Sequence, residues 1–426
     1  MRVLFVTYAE RTHFLAMAPL AWALRTAGHE VRFASQPAFV DEITQAGLTA
    51  VPVGRYRDPA RALELTPGWQ TAGRAGLPRP YDVAQRHPDD VSWPYLRDEF
   101  ARQVKDWHKY ENVPMIPDLV AFARAWRPDL VIWEPTTYAG PIAAKACGAR
   151  HGRVMFSLDI YGVTRDHYRR LRAQQPPHDR GDALAEWLDA YARHHGGEFT
   201  EDMITGEFTI DQFPRSLRME ADLTYLPMRY VPYGGPAVVP QWLRAAPRRP
   251  RVAITMGLVA TERFDGYAVN LQDILDSLAD LEIEVVATVA EAEQRRLARI
   301  PDNARLVPFV PLHALVPTCA AVIHHGGFGT LSTTALHAVP QLVLPLHFDE
   351  PALAEGLARQ GCAIHLPAER ATGPAVREAL LRLLGEPAFA DGAHRMREQM
   401  RALPTPNEMA RRLAAMTADR RPVTTG

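Results

Sequence analysis

Cysteine is scarce in this 426-residue chain: Cys147, Cys319 and Cys362 stand far apart, each in apolar surroundings. Three such thiols make neither a disulfide frame nor a zinc site, and they read as buried free thiols of a reducing compartment. Long hydrophobic runs are missing too, since none approaches the ~20 residues of a membrane span. The opening Arg2-Val3-Leu4-Phe5-Val6 reads as a strand rather than a secretory leader, so the expected location is cytoplasmic. Neither sign of charge dominates: 48 Lys and Arg against 49 Asp and Glu leave a formal charge of -1, which gives no footprint for nucleic acid. The first strand is not followed by G-x-G-x-x-G, which argues against an ordinary dinucleotide-binding dehydrogenase. No D-x-D pair of carboxylates appears, so no metal requirement is expected. Short repeats and low-complexity tracts are also absent.

A chain of this length, 47% hydrophobic, exceeds one typical core, and two domains are expected. Strand and helix patterns alternate from the start. Strands are expected at Val3 to Thr7, Glu30 to Ala34, Leu48 to Val53, Asp129 to Trp133 and Val154 to Leu158, with helices at Leu15 to Ala27, Phe39 to Gln45 and Met115 to Trp126. Between Arg55 and about Pro114 the pattern breaks into a Pro-, Arg- and aromatic-rich insertion holding Trp69, Trp93 and Trp107. A second alternating series begins at Val252 to Met256 and continues through Glu284 to Val289, Ala320 to Ile323, Gln341 to Leu344 and Ala363 to Leu366. Such alternation implies parallel sheets covered by helices on both faces. The expected architecture is α/β: two Rossmann-like, doubly wound domains facing a cleft, residues 1–240 and 251–402. A Pro- and Arg-rich linker (241–250) joins them, and a C-terminal helix and tail (403–426) completes the chain.

The most informative segment is Val322-Ile323-His324-His325-Gly326-Gly327-Phe328-Gly329-Thr330. An apolar strand runs through paired histidines and glycines into a helix start. Helix N-termini present N–H groups and the positive dipole end to anions, and glycine lets the backbone approach closely. One strand later come Asp349-Glu350. A phosphate-type turn followed by two carboxylates suits a ligand with a diphosphate at one end and hydroxyls at the other, a nucleotide sugar. Glycine-rich strand-to-helix turns alone are common in α/β proteins; the second histidine and the carboxylates make this one specific. His13 is on the loop expected after the first strand, and the unperturbed pKa of a histidine side chain (~6.5) suits a general base near neutral pH.

The chain resembles the GT-B glycosyltransferases of natural-product biosynthesis, in particular the actinomycete enzymes that attach TDP-deoxysugars to macrolide and anthracycline polyketides. The resemblance spans essentially the whole chain. It is carried by Pro19 to Arg25 with Ala27-Gly28-His29-Glu30-Val31, by Arg127 to Pro135, by Met228-Arg229-Tyr230-Val231-Pro232-Tyr233, and by His324 to Thr330 with Val339-Pro340-Gln341. Desosaminyl- and mycaminosyl-type transferases are similar in Trp133-Glu134-Pro135-Thr136-Thr137-Tyr138 and in Met228 to Tyr233.

This resemblance implies that His13 deprotonates the acceptor hydroxyl, with Glu134 as the acidic partner of its other nitrogen and Asp159 as the competing choice. It implies donor contacts from His325 and the amides of Gly327, Phe328, Gly329 and Thr330 to the diphosphate, with Gly257 as a second backbone approach. Phe309 would stack on the base where many relatives carry tryptophan, Val310 would pair with the base through its backbone, and Asp349 and Glu350 would hold the sugar. Many relatives have Asp-Gln at that point, so Glu350 is a departure; a second carboxylate would suit a sugar amine. The implied reaction is inverting and metal-independent, with the TDP-sugar as co-substrate and no cofactor. The implied partners are a polyketide aglycone in a pocket lined by the aromatic insertion, a P450-like activator lacking a haem-ligating cysteine, and a second copy of the chain. Two other readings keep the same fold but assign it a different role, either a nucleotide-sugar epimerase or a non-catalytic helper subunit.

Overall fold

The computed structural model describes residues 1–55, 76–257 and 266–419. Trp69 and the tail beyond residue 419, both part of the expectations above, lie outside them. Two compact units emerge. The first comprises residues 1–55, 78–229 and 403–419 of the described chain; the second comprises 76–77, 230–257 and 266–402.

The first unit is built on a seven-stranded sheet. Its strands are β1 (Arg2–Val6), β2 (Glu30–Ser35), β3 (Ala50–Pro52), β4 (Leu130–Trp133), β5 (Arg150–Val154), β6 (Thr209–Asp211) and β7 (Tyr225–Pro227). They lie in the order β3-β2-β1-β4-β5-β6-β7, and every pairing is parallel. Val3 to Val6 and Leu130 to Trp133 are completely buried, as central strands covered on both faces must be. The order reverses direction between β1 and β4, where Val6 lies opposite Trp133. That switch point is where doubly wound sheets hold ligands, beyond the carboxyl ends of the strands.

The second unit repeats the plan with β8 (Arg251–Thr255), β9 (Glu284–Thr288), β10 (Ala304–Val307), β11 (Cys319–His324), β12 (Gln341–Val343) and β13 (Ala363–His365). The order is β10-β9-β8-β11-β12-β13, again wholly parallel. Its switch point falls between β8 and β11, with Thr255 opposite His324.

Several elements differ from the expectation. The strand expected at Val154 to Leu158 is β5, four residues earlier: Arg150-His151-Gly152-Arg153 is polar in sequence yet lies in the sheet, its arginines matched by Glu207 and Asp159 and His151 placed against Asp202. The insertion contains a long helical run, Trp93–Gln103, continued through a wider π turn at Val104–His108 into Lys109–Asn112. The helices Ile160–Ala173 and Ala183–His194 and the strands β6, β7 and β10 were not anticipated. The C-terminal helix Pro406–Ala418 begins with a reciprocal Thr405–Glu408 capping box and packs on the helix Arg11–Thr26 of the first unit. No described helix is long and apolar enough to cross a membrane.

Candidate active site

In the first unit, His13 sits not on a loop but in the first turns of the helix Arg11–Thr26. The chain turns directly from β1 into this helix, whose N-cap Glu10 accepts from Thr12 N–H at 3.3 Å. The helix backbone thereby fixes the histidine over the carboxyl end of β1. Glu134 is the first residue beyond β4, the neighbouring strand across the switch point. The sheet thus brings together two residues 121 positions apart: His13 Nδ1 lies 3.5 Å from Glu134 Oε2. That is the outer limit of a hydrogen bond, so the pairing is mainly electrostatic.

Glu134 is fully buried. Its Oε2 accepts from Thr136 N–H and Thr136 Oγ1, both at 2.8 Å, and Thr137 Oγ1 donates to Oε1. Burial opposes its ionisation, but the neighbouring His13 and the Thr137 and Thr136 donors outweigh it and hold the carboxyl below its ordinary range. A buried carboxylate so satisfied is a fixed negative charge facing one imidazole nitrogen. Thr137 Oγ1 also accepts from Tyr8 N–H at 3.1 Å, which ties the loop after β1 to the loop after β4.

Asp159 does not compete for His13. It caps the helix Ile160–Ala173, accepting from Gly162 N–H at 2.8 Å, while its other oxygen takes Arg153 at 2.8 Å and the Tyr225 hydroxyl at 2.7 Å. The buried Arg153 requires a counter-charge, and Asp159 supplies it.

Aromatic residues surround the His13 ring. Phe156 stacks on it, with ring centroids 3.5 Å apart and planes 17° from parallel. Tyr8 meets it edge-on at 5.5 Å, and Trp107, from the π turn, meets Tyr8 edge-on at 6.4 Å. Tyr161 stands 6.2 Å from Phe156 and 4.8 Å from Tyr81. The Tyr81 hydroxyl and His108 Nε2 are 2.7 Å apart, and burial pushes His108 down to about 3, so it stays neutral. Sequence reasoning did not name Phe156, Tyr8 or Tyr161. Phe156 follows the end of β5 as His13 follows β1, and correct placement of that strand would have pointed to it.

In the second unit, Gly257 follows β8 and the histidine pair closes β11. His324 is buried beneath the turn, with Nε2 2.7 Å from Gln341 Oε1 and Nδ1 accepting from Gly326 N–H at 3.0 Å. His325 points elsewhere. Its ring lies against Gly257 and Gly327: a Cβ on Gly257 would come within 2.6 Å of the ring, and one on Gly327 would collide with Nε2. Gly257 is also left-handed, at φ 71, so glycine is needed there on two counts. Burial pushes His325 down to about 4, against the Thr255 backbone, which favours the charged form, and with nearby His347, which disfavours it.

Gly327 is the N-cap of the helix Phe328–Leu336. The amides of Gly329 and Thr330 are in its first turn and have no carbonyl four residues back within the helix. The Tyr230 hydroxyl, donating to Gly329 O at 3.3 Å, and its edge-on contact with Phe328 at 5.1 Å brace this turn. Phe309 follows β10 and is 46% exposed, so it is not a core residue; Val310 is buried. β10 lies three strand spacings from β11, ~14 Å at the usual interval, a separation on the scale of a nucleoside diphosphate.

Asp349 occupies the N-cap position of the helix Glu350–Arg359. Glu350 is buried and turned back: Leu346 and His347 N–H donate to its Oε2 at 3.1 and 2.8 Å. Its Oε1 lies 3.9 Å from His325 Nε2. The expectation that Glu350 holds the sugar must therefore meet a carboxyl already committed to its own loop.

Among the described residues one group has metal-ligand spacing, His151, Asp202 and Glu207. Lys145 and Arg150 already pair with its carboxylates at 2.6 and 3.0 Å.

Comparison with known proteins agrees along the whole chain. The N-terminal domain model described as erythromycin biosynthesis protein CIII-like matches residues 22–257, and the corresponding C-terminal domain model matches residues 272–416. The 10-deoxymethynolide desosaminyltransferase of Streptomyces venezuelae is 44% identical, covering 99% of this chain and 98% of that protein. The TDP-daunosamine transferase DnrS of Streptomyces peucetius is 42% identical over 99% and 98%. The crystal structure of the glycosyltransferase VinC in complex with dTDP superposes with a TM-score of 0.88 at 41% identity, covering 98% of this chain and 100% of that one.

Proposed function

We propose that this chain, which belongs to the erythromycin biosynthesis protein CIII-like family and is a GT-B glycosyltransferase, moves a deoxysugar from TDP to a hydroxyl of a polyketide aglycone, inverting the anomeric carbon without a metal ion. The observation that carries the chemistry is the His13–Glu134 pair at the switch point of the first sheet. With Nδ1–H directed at the buried carboxylate, Nε2 keeps its lone pair for the acceptor hydroxyl. As the oxygen attacks the anomeric carbon, Nε2 takes the proton and Glu134 stabilises the imidazolium. One displacement gives inversion.

The departing TDP gathers negative charge. In this reading the first-turn amides of the helix Phe328–Leu336 and His325 meet that charge with dipoles that need no reorganisation. Phe309 supports the base by stacking, Val310 pairs with it through the backbone, and Gly257 gives the phosphate a second backbone approach. Asp349 is the carboxylate best placed for an amino or hydroxyl group of the sugar, because Glu350 faces inward. Phe156, Tyr8, Trp107 and Tyr161 give the acceptor an apolar aromatic wall beside the base, which suits a polyketide ring system and argues against an epimerase. The reading extends to two partners, a P450-like activator and a second copy of the chain.

The deciding experiment incubates purified protein with TDP-deoxysugars and polyketide aglycones, with and without a candidate activator, and reads product mass. A glycoside is expected, abolished in His13→Ala. A folded protein that binds TDP yet makes no glycoside with any pair, with or without the activator, refutes the transferase reading for this panel. Sedimentation of the same samples tests both partners.

A further inference from the structure

Glu350 packs against the turn that carries His325. Gly326, at φ 107, lies directly against Glu350, so that a Cβ there would be 3.2 Å from the Glu350 Cβ. The loop before Glu350 contains Phe348 in the left-handed region, at φ 48, a strained conformation for a bulky residue. Glu350 Oε2 closes this loop by accepting from Leu346 and His347 N–H. Its other oxygen lies 3.9 Å from His325 Nε2, and the ring packs closely against Gly257 and Gly327. A carboxyl group anchored by one oxygen thus leaves the other near an imidazole packed between two glycines.

We propose that Glu350 is the positioning partner of His325, a carboxylic acid that passes its proton to the imidazole when a diphosphate binds, so that the phosphate meets an imidazolium without a proton being drawn from water. This inference rests on the donor-site reading above.

The charges agree with the geometry. Burial pushes the Glu350 carboxyl up to about 8, against the two backbone donors and with help from Asp349. Burial likewise keeps His325 neutral, with His347 adding to the effect and the Thr255 backbone opposing it; His324 beside it is buried and neutral as well. The pair therefore holds one proton, on the carboxyl. An arriving diphosphate favours the alternative arrangement. The Glu350 O–H bond breaks, a His325 Nε2–H bond forms, and the carboxylate left behind keeps its two backbone N–H donors. The net charge of the pair is unchanged. A side-chain approach of about 1 Å brings the two atoms from 3.9 Å into proton-transfer range.

The test is titration calorimetry of TDP against the full-length protein and Glu350→Gln, in two buffers of different ionisation enthalpy, between pH 6 and 7.5. The glutamine oxygen still accepts from Leu346 and His347 but has no acidic proton to give. Because the terminal phosphate of TDP also titrates near neutrality, the difference between the two proteins is the readout. Glu350→Gln is expected to take up close to one proton more than the wild type on binding. Its affinity should fall by about tenfold more per pH unit. Equal proton counts and equal pH slopes overturn the proposal and leave Glu350 as a loop support. A wild type that does not bind TDP refutes the donor-site reading instead. Should Glu350→Gln fail to fold, nitrogen NMR of the wild-type His325 ring and the wild-type proton count decide together: an imidazolium pattern appearing with TDP without proton uptake from the buffer supports the transfer, and a ring that stays neutral, or one that charges with uptake of a buffer proton, overturns it.

Discussion

Replacing Glu134 by glutamine removes one negative charge and little else. The amide keeps the volume of the side chain and can still accept from Thr136 N–H, so the β4 loop should hold its shape. What is lost is the counter-charge to the imidazolium at 3.5 Å. At an effective dielectric of 20, Coulomb's law gives that contact about 5 kcal/mol. A proton half-transferred in the transition state realises roughly half of it, about 2.4 kcal/mol, or about 50-fold in kcat. The loss should fall on kcat and leave the KM for the donor unchanged, because Glu134 belongs to the first unit and the donor residues to the second. The assay is steady-state glycoside formation with saturating acceptor, supported by thermal unfolding to show that the variant is folded. A folded Glu134→Gln enzyme within threefold of wild-type kcat, or one changed only in KM, would refute the role assigned to the pair.

Gly327→Ala places a methyl group against the His325 ring; overpacking of this kind costs about 1–3 kcal/mol, so TDP should bind at least about fivefold more weakly by calorimetry, and unchanged affinity would contradict the packing. Phe156→Ala removes the ring stacked on His13, worth about 0.5–1.5 kcal/mol; kcat/KM for the acceptor should fall about 2- to 10-fold with donor KM intact, and a donor-side effect would count against the aromatic wall. Asp211 is buried, and burial pushes its carboxyl up to about 7, against the Phe213 N–H that it accepts at 2.8 Å. The folded state therefore binds a proton that the unfolded chain releases above pH ~4, so this group lowers stability progressively as pH rises from there to about 7. Asp211→Asn should be neutral near pH 4 and stabilising at pH 8, by up to roughly 4 kcal/mol, as read by denaturant unfolding at both pH values; equal effects at the two would refute the assignment.

What the sequence made legible follows from which interactions are local. β1, β8 and β11 are apolar runs ending in glycine or in chemistry-bearing residues, and their position and the glycine turn could be read directly. The His13–Glu134 pair could be proposed only by resemblance, because its two members meet through the β1–β4 ladder. Asp159 remained an open alternative for the same reason: nothing along the chain says that Arg153 claims it. β5 was displaced because its polar run Arg150-His151-Gly152-Arg153 imitates a surface segment, and that error hid Phe156. The helices Ile160–Ala173 and Ala183–His194 are rich in charge, and their buried faces are visible only once Arg165 is seen between Asp182 and Glu201. Glu350 stood correctly next to Asp349 in sequence, but a carboxyl that folds back on its own loop leaves no trace in residue order.

The return of residues 403–419 to the first unit makes the second unit an insertion within it. Arg229 N–H donates to Pro404 O at 2.7 Å where the chain re-enters, and Arg150 reaches Met416 O near its far end. During synthesis the first unit must therefore wait for the intervening ~170 residues, a delay of roughly 10–35 s at ribosomal speeds. Throughout that interval the helix Arg11–Thr26 lacks the helix Pro406–Ala418 that packs on it. The nascent chain would be most prone to aggregate then, before its first unit is closed.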